Sequence, residues 1–337
     1  MVRIHAIDLF CGAGGLTRGL LDAEIDVVAG IDIDPQSEYP YKHNNDVDFI
    51  LKDVHDVTGA EIDSVFGNAR IRLLAGCAPC QPFSTYSRST KRQRDHQDWG
   101  LLREFGRLIQ ETQPELVTME NVPSLEHQPV FDAFLSALDG YNIWCEVIEL
   151  DKIGVPQTRK RLVLIASRLG DVSFSAPYDV QTVQDAIGSL PRPEDSDDPL
   201  HTASQLSHLN LQRIRASRPG GTWRDWPEHL RAACHRRVSG STYPSVYGRM
   251  EWGKPGPTIT TQCYAYGSGR FGHPEQDRAI TLREAALLQT FPPRYEFGPP
   301  DQKITFSGMG RVIGNAVPVQ LGKAIGESIK AHVTINT

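Results

Sequence analysis

One cysteine, one glutamate and two arginines in this chain stand where side chains could act together on a substrate. Cys77-Ala78-Pro79-Cys80-Gln81 follows directly on the apolar run Ile71–Gly76. A Cys-x-x-Cys pair serves a redox couple or half of a structural zinc site, but zinc needs four ligands, and no second cysteine or histidine pair at ligand spacing is present. A thioredoxin-like couple fits poorly too, because the pair falls after a later strand and runs into Gln81-Pro82. What is left is Cys80 as a single nucleophile at the carboxyl end of a strand, where open α/β sheets place their sites. Glu120-Asn121-Val122 likewise ends the apolar run Leu116–Met119. A lone glutamate at a strand end is commonly a surface group; in register with Cys80 on an adjacent parallel strand it would enter the same crevice. In Gln157-Thr158-Arg159-Lys160-Arg161 the arginines recur at period two, so they point to one side and converge on an anion or a polar base edge.

A fourth stretch, Asp8-Leu9-Phe10-Cys11-Gly12-Ala13-Gly14-Gly15, lies between a strand and a helix. Glycines there let the backbone turn sharply and approach a ligand, and the helix start offers free N–H groups. A dinucleotide fingerprint G-x-G-x-x-G would need a third glycine at position 17, where Thr17 stands. This disfavours NAD or FAD and favours a nucleoside without a pyrophosphate, such as S-adenosylmethionine. Asp32, at the end of the second strand, is placed to accept hydrogen bonds from ribose hydroxyls.

The elements that must position these groups alternate. Ile4–Leu9 and Asp26–Ile31 read as strands flanking a helix from about Gly15 to Ala23, and Ile71–Gly76, Leu116–Met119, Ile143–Leu150 and Arg161–Ser167 read as further strands. Leu101, Leu102, Phe105, Leu108 and Ile109 keep helical spacing, as do Val130, Phe131, Phe134, Leu135 and Leu138. Such alternation marks an α/β fold, a parallel sheet covered by helices on both faces. Pro191–Pro199 reads as a linker or exposed loop, and beyond it the chain is rich in Gly, Pro, Trp and Tyr without a clear period. Thr281-Leu282-Arg283-Glu284 is a capping box opening a helix through Gln289, and Pro318 suits the first turn of a last helix to about Lys330.

With 337 residues, 39% hydrophobic and 23% charged, the composition is that of a globular protein and excludes disordered, collagen-like and coiled-coil classes. No apolar run reaches the roughly 18 residues of a membrane span. The opening residues read as a strand rather than a secretion signal, so a cytoplasmic location is expected. The net charge of -6 is unevenly distributed, since residues 201–275 hold ten Arg/Lys against four acids. A segment at +6 within an otherwise acidic chain is suited to meeting a polyanion, although a solvated basic face would look the same.

Taken in order, these four stretches and Gly314-Asn315-Ala316-Val317-Pro318 closely resemble the DNA (cytosine-5)-methyltransferase family, of the bacterial or phage restriction-modification type, over essentially the whole chain. The resemblance implies a Rossmann-like S-adenosylmethionine-dependent methyltransferase sheet with a smaller target-recognition domain. It also implies methyl transfer to C5 of a flipped-out cytosine in a short duplex DNA sequence, through a covalent bond between Cys80 and C6. The expected divisions are a catalytic and cofactor-binding part at 1–182, target recognition at 183–276, a hinge and helix at 277–312, and a helix at 313–337 returning to the catalytic domain. The family's catalytic roles fall on Cys80, Glu120, Arg159 and Arg161. Its cofactor contacts fall on Asp8, Phe10, Gly12, Gly14, Asp32, Ile33, Asp53, Val54, Pro79 and Asn315. DNA contacts are expected from Gln81, Ser84, Arg88, Arg92, Gln157, Arg236, Arg237, Arg249 and Arg270. The family often has Gly-Pro or Gly-Phe where Cys77-Ala78 stands, so Cys77 is expected to be a buried thiol without a redox role. The implied cofactor is S-adenosylmethionine, leaving as S-adenosylhomocysteine, with no metal. A monomer acting on duplex DNA is expected, with no membrane association and a companion restriction endonuclease that forms no stable complex with it. The alternatives are a transfer-RNA cytosine-5 methyltransferase, or a catalytically silent DNA-binding protein on the same fold. The insertion of about 90 residues and the intact Cys80, Glu120 and Arg161 argue against these respectively.

Overall fold

A computed structural model describes residues 3–79, 98–237, 244–299 and 304–336. In chain order the elements begin β1 (Ile4–Leu9), α1 (Gly15–Asp22), β2 (Asp26–Asp32), α2 (Glu38–Asn45), β3 (Asp48–Leu51), α3 (Gly59–Phe66) and β4 (Ile71–Gly76). They continue α4 (Asp98–Thr112), β5 (Leu116–Asn121), α5 (Pro129–Ser136), β6 (Asn142–Glu149), β7 (Gln157–Thr158) and β8 (Lys160–Ser167). The last are α6 (Val183–Ile187), α7 (His208–Arg215), β9 (Gly256–Pro257), α8 (Leu282–Leu288), α9 (Phe306–Asn315) and α10 (Val319–Asn336). They divide into two compact units, Met1–Ile153 with Lys160–Tyr178 and Ala316–Thr337, and Gly154–Arg159 with Asp179–Asn315.

The first unit is an α/β sheet in the order β3-β2-β1-β4-β5-β8-β6. Six strands run in one direction, while β8 runs antiparallel to both its neighbours. The parallel reading fails at β8 for a geometric reason: the connection from β6 is too short for the helical crossover a parallel return requires. β3, unread in the sequence, is a four-residue edge strand with no fully buried residue, too short to show a period. β5 is buried along its whole length, as a central strand covered on both faces should be. Phe105 and Leu108 of α4 and Phe131 and Phe134 of α5 join Leu74, Val117, Met119 and Leu164 in one core. Elsewhere α10 lies against α1, backbone on backbone: a Cβ at Gly19 would come within 2.4 Å of the Lys323 nitrogen, and one at Gly322 within 2.9 Å of the Leu16 oxygen.

The second unit has little regular structure, which explains why periodicity is silent there. Its order comes from side chains that satisfy backbone groups. Arg249, 5% exposed, donates to the carbonyls of Ile214, Ser217, His273 and Gln276 and pairs with Asp277. Trp223, Trp226 and Leu230 form a small core, and Trp226 Nε1 donates to Ser217 Oγ at 2.8 Å. The capping box at Thr281 forms. Residues 277–312 cluster with this unit, where α8 is almost wholly buried and the buried Arg278–Glu284 pair ties the two sides of Thr281 together. The unit also takes in 154–159, and its second stretch begins at Asp179 rather than at 183.

Candidate active site

The cofactor end is built where β1 and β2 stop. Phe10, Gly12 and Gly14 all have positive φ, at 58°, 50° and 83°, so the chain curls tightly before α1. For Phe10 this is costly and marks a conformation imposed by its surroundings. Nothing lies within 4 Å of a Cβ built at Gly12, so the inner wall of the turn is open. Asp32 closes one side, its Oδ2 accepting from Gly12 N at 2.8 Å and its Oδ1 from Asp34 N at 2.8 Å. Burial raises the pKa of Asp32 above the usual carboxylate value despite these donors. Ile33 beside it is 64% exposed, an apolar face with nothing on it. Asp53 accepts from the backbone and ring nitrogens of His55, at 3.0 and 2.8 Å, which lowers its pKa. Val54 is buried, and Pro79 is exposed at the end of β4. An open glycine turn, a carboxylate at the next strand end and an exposed aliphatic side chain fit an adenosine group.

Asp8 departs from its expected role. It is 1% exposed and its Oδ2 accepts from Thr17 Oγ1 at 2.7 Å, with the Tyr41 hydroxyl 3.0 Å from the same Thr17 oxygen. Asp8 therefore braces the turn from below instead of touching a ligand. Thr17, the residue that breaks the dinucleotide fingerprint, is the brace's other half.

One strand further along, β4 and β5 run parallel with Gly76 opposite Met119, which brings Cys77 level with Glu120. Cys77 Sγ donates to Glu120 Oε2 at 2.7 Å, and Arg161 Nε from β8 lies 2.7 Å from Glu120 Oε1. Glu120 is 3% exposed, so its charge is sheltered from water. Asn121 Nδ2 donates to the Ala78 carbonyl at 3.1 Å, fastening the chain beyond β4 to the end of β5. Neither Cys77 nor Asn121 stands out in the sequence as a site residue; the signal available is that each adjoins one that does. Cys80, Gln81, Ser84, Arg88 and Arg92 lie outside the described residues.

In the second unit two expected DNA contacts are structural. Gln157 is fully buried, donating through Nε2 to the Leu288 carbonyl and Gln289 Oε1, both at 2.7 Å, and accepting from Ile259 N at 2.9 Å. Arg249 is enclosed as described, with no face left for a phosphate. Arg159, 4% exposed, donates to the Ile259 carbonyl at 3.2 Å. Arg270 is half-buried and donates to the Gly220 carbonyl. Arg236 and Arg237 are exposed, with Arg236 donating one N–H to the Glu228 carbonyl at 2.9 Å. Asn315 is exposed at the end of α9.

Among the described residues no helix is long and apolar enough to cross a membrane. The C-5 cytosine-specific DNA methylase family matches residues 4–331. The type II methylase M.HgiDII of Herpetosiphon aurantiacus is 50% identical, with the alignment covering 96% of this chain and 94% of that protein. The type II methyltransferase M1.BsuMI of Bacillus subtilis is 32% identical over 94% of this chain and 78% of its own length. A structure from E. coli, described as a DNA modification methyltransferase encoded within a prophage, superposes with a TM-score of 0.75 at 23% identity, covering 98% of this chain and 99% of that one. The alternating sheet, the open glycine turn and the buried glutamate beyond it thus belong to a chain that is a member of the C-5 cytosine-specific DNA methylases, S-adenosylmethionine-dependent enzymes acting on DNA.

Proposed function

We propose that the chain methylates one cytosine within a short duplex DNA sequence, with Cys80 as nucleophile, Glu120 as hydrogen-bond or proton donor and Arg161 as its charge partner. The observation that carries this is the buried Glu120 carboxylate, held at a parallel strand end between Cys77 and Arg161, next along the sheet from the open glycine turn.

Cytosine C5 is a poor nucleophile while the ring is aromatic. Cys80 overcomes this by adding to C6, forming an S–C6 bond as the ring electrons shift toward C5 and N3. A free thiol with a pKa of about 8.5 is only a few per cent thiolate at neutral pH, so Cys80 must be activated. Glu120 stabilises the adduct by delivering a hydrogen bond or proton to N3, and Arg161, expected on the cytosine O2, offsets the developing charge. When bound, S-adenosylmethionine supplies an electrophilic methyl group to C5 and leaves as S-adenosylhomocysteine. Loss of the C5 proton then returns its electron pair to the ring and expels the Cys80 sulfur. Asp32 and Gly12 would hold the ribose side of the cofactor, Phe10, Ile33 and Pro79 its adenine, with Val54 beneath and Asp53 near the exocyclic amine. No metal is needed for any of these steps. The target base must leave the duplex at a cost of a few kcal/mol, offset in part by phosphate contacts. Arg236 and Arg237 are the exposed candidates for those contacts.

The type II names of the relatives support a companion restriction endonuclease, and we read the enzyme as a cytoplasmic monomer. Tritiated S-adenosylmethionine offered with unmethylated duplex DNA or with transfer RNA tests the reading, with Cys80→Ala as the blank. Label at C5 of one recurring DNA site is expected, none with Cys80→Ala, and unchanged cofactor affinity in that variant. Label confined to transfer RNA, or equal loss of transfer and cofactor binding in Cys80→Ala, would overturn it.

A further inference from the structure

Glu120 is held by two unlike partners. Arg161 Nε is 2.7 Å from Oε1, yet Oε1 takes part in no aligned hydrogen bond, so the arginine acts as a charge beside the carboxylate. A point charge constrains the rotation of a carboxylate weakly, because the Coulomb energy changes little as the group turns. A hydrogen bond is directional and does constrain it. Among the described residues the hydrogen bond to this carboxylate comes from Cys77, whose Sγ donates to Oε2 at 2.7 Å. Cys77 is itself fixed by the sheet, its N–H reaching the Leu9 carbonyl at 3.4 Å where the ladder between β1 and β4 ends.

We propose that Cys77 is a positioning residue for methyl transfer: its thiol sets the rotation of the Glu120 carboxylate, so that this group is aimed at the cytosine ring. The inference rests on the reading of Glu120 as donor to N3. The described groups paired with Glu120 are Cys77 from the end of β4 and Arg161 from β8.

Without the Cys77 donor the Glu120 carboxylate turns more freely. Cys77→Ala should therefore lower kcat about tenfold, with KM for DNA and Kd for S-adenosylmethionine nearly unchanged. Cys77→Ser, which restores a donor, should return kcat toward the parent enzyme. If the alanine variant does not fold, Cys77→Val, similar in size and without a donor, carries the same comparison. An unchanged kcat, or serine and alanine variants that behave alike, would overturn the proposal. Glu120→Gln, measured alongside, separates the two levels: if it is slow while the Cys77 variants are unaffected, only the role of Cys77 is lost, and if it is fully active, the assignment of Glu120 falls and this proposal with it.

Discussion

At Asp8 a carboxyl is shut away from water beneath the glycine turn, and desolvation, only partly countered by the Thr17 hydrogen bond, raises its pKa to about 7. Between about pH 4 and 7 the native chain keeps this proton while an unfolded chain releases it. Stability from this group is therefore full at low pH and declines as pH rises through that window. Asp8→Asn keeps an acceptor for Thr17 and cannot ionise. Its stability relative to the parent should rise across pH 4 to 7 and level off above, by at most about 1.4 kcal/mol for each pH unit. Urea denaturation midpoints at a series of pH values would check this, and parallel curves would show that the native Asp8 carboxyl loses its proton as readily as in the unfolded chain. The same desolvation makes Cys11, behind the turn, an inert thiol, its pKa raised well above normal.

Between elements, the contact of α1 with α10 is the most exacting, because it is made by glycine backbones with no side chain to yield. Gly322→Ala would place a methyl 2.9 Å from the Leu16 oxygen and 3.2 Å from its Cα, all backbone atoms. Separating the helices should cost about 1–3 kcal/mol. Since α1 begins at the cofactor turn, the affinity for S-adenosylmethionine should weaken as well. Thermal unfolding and calorimetric titration of the variant measure both, and an unchanged melting temperature with normal binding would show that the helices move apart freely. The second unit offers a contrast between arginines of one sequence region. Arg249→Ala takes the side-chain donor away from four backbone carbonyls at a buried position, and should lower stability by about 3 kcal/mol or more. Arg236→Ala and Arg237→Ala should leave the melting temperature unchanged and instead reduce the salt dependence of DNA binding by close to one counterion each. If Arg249→Ala proved stable but weak on DNA, the burial of that side chain would not describe the working enzyme.

Across the whole molecule the chain leaves the first unit and comes back to it at its carboxyl end. α10 buries Leu321, Ile325 and Ile329 completely, and Val333 nearly so. At roughly 1.5–3 kcal/mol for each buried aliphatic side chain, these four alone rival the net stability of a domain, about 5–15 kcal/mol. Deleting residues 316–337 should therefore abolish S-adenosylmethionine binding although none of the glycine turn is touched, and a normal dissociation constant would show the helix to be dispensable. Much of this molecule was legible from its residues. Strand ends carrying Glu120 and Asp32 could be read because a buried parallel strand is a continuous apolar run, and a polar residue at its end is conspicuous. The glycine turn was legible because Thr17 excluded the commoner fingerprint. The four-residue β3 and the interior of the second unit were not, since neither carries a period. Gln157, Asp8 and Arg249 illustrate the deeper limit: sequence shows that a polar side chain is present, but whether it faces a ligand or a backbone carbonyl depends on segments up to 132 residues away. By itself the sequence determined the fold class, the family and the order of the chemical groups, all of which rest on local pattern and motif spacing. Only the tertiary structure decided which of those groups are enclosed by backbone partners, and that Cys77 meets Glu120, because hydrogen-bond partners are set by packing between strands distant in the chain.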